Sequence, residues 1–114
     1  DIVDAARQTR SQQISRVLGL AEEHILLPGH PLILMGDFNA EVNEYSLKDM
    51  LRDHSFVHLT PEEHLPTHAK AGMVDHLFFF PARRLVSYNA YIVNTPLAHS
   101  VSDHLPVVAD IVIE

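Results

Sequence analysis

The chain contains no cysteine. Disulfide staples and thiolate metal sites are therefore excluded. The compartment stays open, the cytoplasm being favoured over export, because exported proteins can also lack cysteine. Long hydrophobic runs are missing as well. Nothing approaches the roughly 18 apolar residues of a transmembrane helix, and no secretory signal pattern opens the chain, so a soluble protein is expected. Positive charge is scarce: eight Lys and Arg against 15 Asp and Glu give a net charge of -7 with histidine neutral. A basic footprint for gripping a nucleic-acid backbone is absent from this segment, and no aromatic-rich stacking platform replaces it. Nine histidines soften the acidity, since some can charge near neutral pH.

What is present suits one modest globular domain. The length is 114 residues and 46% of them are apolar, which argues against disorder. The first residue is Asp1 and a helix begins close to it, as expected for a piece of a longer protein. Ile14, Val17, Leu18, Ala21 and Ile25 follow helical spacing, predicting a helix over residues 4–27 that Pro28-Gly29 ends, with Gly19 a weak point. Residues 31–36 do not alternate and read as a fully buried strand. A polar loop over 37–43 leads to a short helix carrying Leu47, Met50 and Leu51, capped by Asn43 or Ser46. Short strands are predicted over 56–59, 73–80, 84–93 and 107–113, separated by loops over 60–72 and 95–105. Helix, strand, helix, then a run of strands fits an α/β or α+β sandwich with helices covering a sheet.

Three polar intrusions break these apolar runs. In PLILMGDFNA the strand ends on Asp37 and Asn39, two residues apart. If the chain stays extended there, both side chains point the same way. A carboxylate can bind a hard cation or take a proton from water, and an amide can donate to a phosphate oxygen. Gly-Asp-x-Asn is equally good turn chemistry. Asp75 lies inside MVDHLFFF, where a lone carboxylate costs several kcal/mol unless paired. It therefore demands a partner, a histidine or a cation, or else an edge position facing water. Asp103-His104, in SVSDHLPVV, sits at a tight corner before the last strand, where a capped loop end is the plain alternative. His68, in the loop before Asp75, can reach the same crevice or stay exposed. His76 alternates to the opposite face from Asp75 and is structural or solvent-facing. The remaining histidines lack the close spacing of a zinc site.

GDFNA, then VDHLFF, then SDHLPVVADI, in this order and each at the edge of a predicted strand, resemble the endonuclease/exonuclease/phosphatase superfamily. The resemblance spans residues 5–113, and the helix with Arg7, Gln12 and Gln13 is similar to the one preceding the GDFN strand in many members. It implies a two-sheet sandwich flanked by helices, of which this sequence supplies the C-terminal half. It implies a divalent-metal-dependent phosphoesterase using in-line water attack, with Mg²⁺ or Mn²⁺ as cofactor. In that scheme Asp37 orients or deprotonates the water and contributes to the metal site. Asn39 bonds the scissile phosphate, and His104 stabilises charge on a non-bridging oxygen. Asp75 holds the His104 imidazole, and Asp103 positions the metal or its waters; outside that scheme, the position of His68 in the loop before Asp75 makes it a candidate substrate contact. Oxygen donors of this kind suit hard cations rather than copper or zinc.

Two departures stand out. His76 occupies the place of an aromatic residue in the family's IDYI-like pattern. The family's metal-binding glutamate, an upstream asparagine and a further histidine or tyrosine belong to the N-terminal half, and Glu41 and Glu44 follow GDFN too closely to replace that glutamate. The partners implied are a phosphate ester (nucleic acid, phospholipid or small phosphoester) and the N-terminal half of the same domain. A catalytically inactive binding or scaffold module retaining the fold is the alternative. Residues 1–114 alone are expected to be poorly stable and nearly inactive, because half a sandwich leaves an apolar face uncovered.

Overall fold

The computed structural model describes residues 2–26, 29–53 and 55–114. Helix α1 (Ile2–Ala21) continues as a π-helical turn over Glu22–Leu26. The predicted helix end at residue 27 and Pro28 lie outside the described residues. The helix runs through Gly19 unbroken and widens only after Ala21. Strand β1 is Leu32–Asp37, helix α2 is Tyr45–Asp53, and β2 is the two-residue strand Val57–His58. Strands β3 (Asp75–Phe80), β4 (Leu85–Ile92) and β5 (Val107–Ile113) complete the sheets. Between the last two lies helix α3 (Pro96–Val101), inside what the sequence presented as a loop. The Thr95 hydroxyl accepts from Ala98 N at 3.1 Å and Pro96 takes the first turn, a start signal too short to show periodicity.

The architecture is mixed α+β, with every strand pairing antiparallel. One sheet has the order β1-β3-β2 and the other is the β4-β5 pair. Alternation along β3 sets the layers. Phe78 joins Ala21, Leu32, Leu47 and Phe56 in a core beneath α1 and α2. Phe79, one residue on, joins Leu59 and Ala90 in a second core between the two sheets, with Leu77 and Ile111 packed against it. Asp75 has the parity of Leu77 and Phe79, and so points toward the β4-β5 side. His76 shares the parity of Phe78 and points under the helices.

The full burial expected for residues 31–36 does not hold. β1 is an edge strand whose Leu32 is buried while Ile33 and Met35 are 44% and 68% exposed. A continuous apolar run reads as buried on both faces, but here only one face of β1 is covered. The second helix starts at Tyr45, and its first turn is held neither by Asn43 nor by the Ser46 hydroxyl alone. Glu44 Oε2 accepts from both Ser46 N and the Ser46 hydroxyl, and the Glu44 carbonyl accepts from Leu47 N and Lys48 N. Among the described residues no helix is long and apolar enough to cross a membrane.

Candidate active site

Asp37 and Asp75 are direct partners in the β1-β3 register, so their side chains emerge side by side on one face of the sheet. Like charges placed this way repel, and a cation between them relieves the cost. His104 can supply one when its ring is protonated. Its Nδ1 lies 2.8 Å from Asp75 Oδ2 and its Nε2 lies 3.8 Å from Asp37 Oδ2. The hydrogen bond from Nδ1 to Asp75 raises the His104 pKa above the ordinary value near 6.5; desolvation, the next influence, opposes it, and the charges of Asp75, Asp103 and Asp37 add to the rise. The partner demanded by Asp75 is therefore an imidazole. With its side chain 21% exposed, Asp75 is neither a free edge carboxylate nor a sealed one.

Asn39 sits in a turn. The chain does not remain extended after Asp37: Asn39 has φ +53°, in the left-handed region that asparagine tolerates. Asp37 Oδ1 accepts from Asn39 N at 2.8 Å, closing an Asx turn. The turn reading is therefore the one the backbone takes. Beside them opens a cavity lined by Arg10, Gln13 and Ile14 of α1 together with Asp37, Phe38 and Asn39.

His68 reaches the rim through a backbone bridge to His104, their rings 4.9 Å apart. Its Nδ1 accepts from Lys70 N and Ala71 N, each at 3.2 Å, so the ring proton sits on Nε2 and is directed at Asp103 Oδ2, 3.3 Å away. Two groups of side chains, His68/Asp103/His104 and Asp37/Asp75/His104, bring possible ligand atoms within 4.8 Å of one another. Within them the imidazoles are engaged: His104 Nδ1 with Asp75, His68 Nε2 with Asp103. The two groups also offer carboxylate oxygens, from Asp37 and Asp75 in one and from Asp103 in the other, with Asp37 half-exposed and Asp103 exposed. Oxygen donors of this kind suit a hard divalent cation that keeps most of its water.

Two supporting residues carry no recognisable signal in the sequence. Thr67 is fully buried. Its Oγ1 accepts from Val74 N at 3.0 Å and Asp75 N at 3.2 Å, while its carbonyl accepts from Leu105 N at 2.8 Å. Glu41 Oε1 accepts from Met73 N at 3.0 Å and lies 3.3 Å from where a Cβ at Gly72 would sit, a tight contact at a position whose φ of +87° already strains any L side chain. A rule for either needs contacts between residues about 30 apart or a buried hydroxyl that no pattern marks. His76 proves structural and not solvent-facing: it is 2% exposed.

The sequence model of the Endonuclease/Exonuclease/phosphatase family matches residues 2–104. The chain belongs to that family. Neither the curated proteins nor the solved structures compared with the chain gave a match. Endonuclease/exonuclease/phosphatase members are generally hydrolases acting on phosphoesters, and they generally use divalent metals. The mixed α+β architecture is consistent with the family fold.

Proposed function

We propose that this chain carries the C-terminal half of a phosphoesterase site that cleaves a phosphodiester or phosphomonoester by in-line attack of water. The observation that carries the reading is the convergence on His104 of Asp75 at 2.8 Å and Asp37 at 3.8 Å. Asp37 aligns the attacking water and takes its proton as the water oxygen bonds to phosphorus and the ester P–O bond breaks. Asn39, at the Asx turn, donates its amide to the scissile phosphate. His104, charged by Asp75, offers Nε2–H to a non-bridging oxygen, where negative charge grows in the transition state. Asp75 is a positioning residue acting through that ring. His68 stands on the substrate side of the same rim.

Asp37 and Asp103 are the residues that would hold Mg²⁺ or Mn²⁺. When bound, such a cation neutralises phosphate oxygens and supports the leaving group. We read the remaining ligands as belonging to the N-terminal half of the domain. The exposure of Ile33 and Met35, on the face of β1 turned away from the helices, supports that reading.

The test is a panel on the full-length protein with Mg²⁺, Mn²⁺ or EDTA, over DNA, RNA, sphingomyelin and inositol phosphates. His104→Ala is expected to abolish most of the metal-dependent hydrolysis found. Near-normal turnover in that variant refutes the assignment, and a wild type silent on every substrate favours a binding module that keeps the fold.

A further inference from the structure

On the opposite face of β3 from the candidate site lies a pair of buried histidines that the proposed chemistry does not use. His58 is 8% exposed and His76 is 2% exposed. Their rings are 5.0 Å apart, with Phe78 packed beside both and Phe38 beside His76. His76 Nε2 lies 2.8 Å from the carbonyl oxygen of Ala40. A carbonyl only accepts, so Nε2 carries the proton. A neutral His76 then has a bare Nδ1, which accepts from His58 Nε2–H at 3.0 Å. His58 Nδ1 is bare in turn and accepts from the Thr60 hydroxyl at 2.8 Å. With both rings neutral, the four groups form a one-directional chain, Thr60 to His58 to His76 to Ala40, in which each ring nitrogen makes one bond; the Thr60 hydroxyl also lies 3.3 Å from the carbonyl oxygen of His58.

The chain ends at a position that matters. Ala40 follows Asn39, and its carbonyl is the anchor that ties this loop to the dry side of the sheet. The loop's other ties, Phe38 N to Val74 O at 2.9 Å and Met73 N to Glu41 Oε1 at 3.0 Å, run to the segment just before β3. His76 is also the neighbour of Asp75 in sequence. One dipeptide thus grips His104 on one face of the sheet and the Asp37–Ala40 loop on the other.

We propose that His76, held in a single tautomer by His58, is a positioning residue that fixes the Asp37–Ala40 loop relative to the Asp75–His104 pair. Its kinetic consequence rests on the phosphoesterase reading, while its hydrogen-bond geometry does not. Loss of the grip lets Asn39 and Asp37 drift, and misplacement on the order of 1 Å costs up to about a hundredfold in rate.

The experiment has two arms, both on the full-length protein. Long-range ¹H–¹⁵N spectra of the histidine rings at pH 7 are expected to show His58 and His76 both neutral with the proton on Nε2. A proton on Nδ1 of His76, or a charged ring at either position, overturns the proposal whether or not hydrolysis is found. In the kinetic arm, His76→Phe keeps the aromatic packing and removes the bond to Ala40. It is expected to lower kcat by about ten- to a hundredfold with KM changed less than about threefold, and to shift the backbone amide resonances of Asp37 and Asn39. His76→Gln, which can still donate to Ala40, should recover part of the loss. Adding His58→Phe to His76→Phe should cost nothing further, because the two act in series. A folded His76→Phe with unchanged kcat and unmoved Asp37 and Asn39 resonances overturns the proposal, as does a double variant whose losses multiply. Should the wild type hydrolyse nothing, the phosphoesterase reading fails, and the ring spectra with the Asp37 and Asn39 shifts still decide the positioning claim.

Discussion

Asp75 and His76 are consecutive residues on one strand, yet the two faces they serve treat histidine in opposite ways. On the Asp75 face, His104 stands between carboxylates at a partly open rim, and its pKa is raised, first by the hydrogen bond to Asp75. On the His76 face, burial lowers His76 below its ordinary value and pushes His58 down to about 4, with the neighbouring ring adding to the effect on His58. Period-two alternation is enough to separate the regimes, because successive side chains leave a strand on opposite sides. The lesson is that a histidine's charge here follows from strand parity. The acidic side favours the charged form of the ring, and the apolar side favours neutral rings that can hold a loop.

The most damaging way to break this contrast is to open the dry face. Phe78→Ala removes the fully buried ring that packs against both His58 and His76. It should cost roughly 3–5 kcal/mol of stability in urea unfolding, and the His58 titration followed by NMR should climb toward the ordinary range. On the wet face, Asp75→Asn keeps the shape and removes the charge. Hydrolysis should fall by roughly 10²- to 10³-fold, and the His104 pKa should drop, because its largest raising influence is gone.

Acid sharpens the comparison without mutation. The folded pKa of His58 lies below its unfolded value near 6.5, so the unfolded chain binds more protons between the two. The contribution of His58 is complete above about pH 6.5 and is lost as pH falls toward about 4. The urea midpoint should decline across that window, and His58→Phe should flatten the decline. His104 has the reverse sign: its contribution is present below pH 6.5 and lost as pH rises through its elevated folded pKa. The smallest effect belongs to neither face. His64 meets Glu41 Oε1 at 3.3 Å but is largely exposed, and His64→Ala should change stability by less than about 0.5 kcal/mol by urea titration.

Much of the site can be read from the chain because its logic is energetic. A carboxylate inside MVDHLFFF requires a partner, and the partner is His104, 29 positions away. Strand alternation correctly sends His76 to the other face. What that rule cannot supply is the His58 ring. The meeting of residues 58 and 76 depends on the two-residue strand β2 pairing with β3, Val57 opposite Phe79 and His58 opposite Phe78. No spacing in the sequence encodes such a pairing. The same limit explains β1: PLILM is apolar enough for a central strand, but edge or centre is decided by distant partners. Of the two geometries open at Asp37–Asn39, the turn wins for a local reason, since the Asp37 carboxylate captures the Asn39 amide and bends the chain. α3 was hidden by its brevity.

Thr67 has one more consequence. Its hydroxyl holds the amide of residue 75 and its carbonyl holds the amide of residue 105, so the acid and the imidazole hang from a single peg. A displacement of Thr67 would therefore move the anchors of both partners together, rather than pull one away from the other.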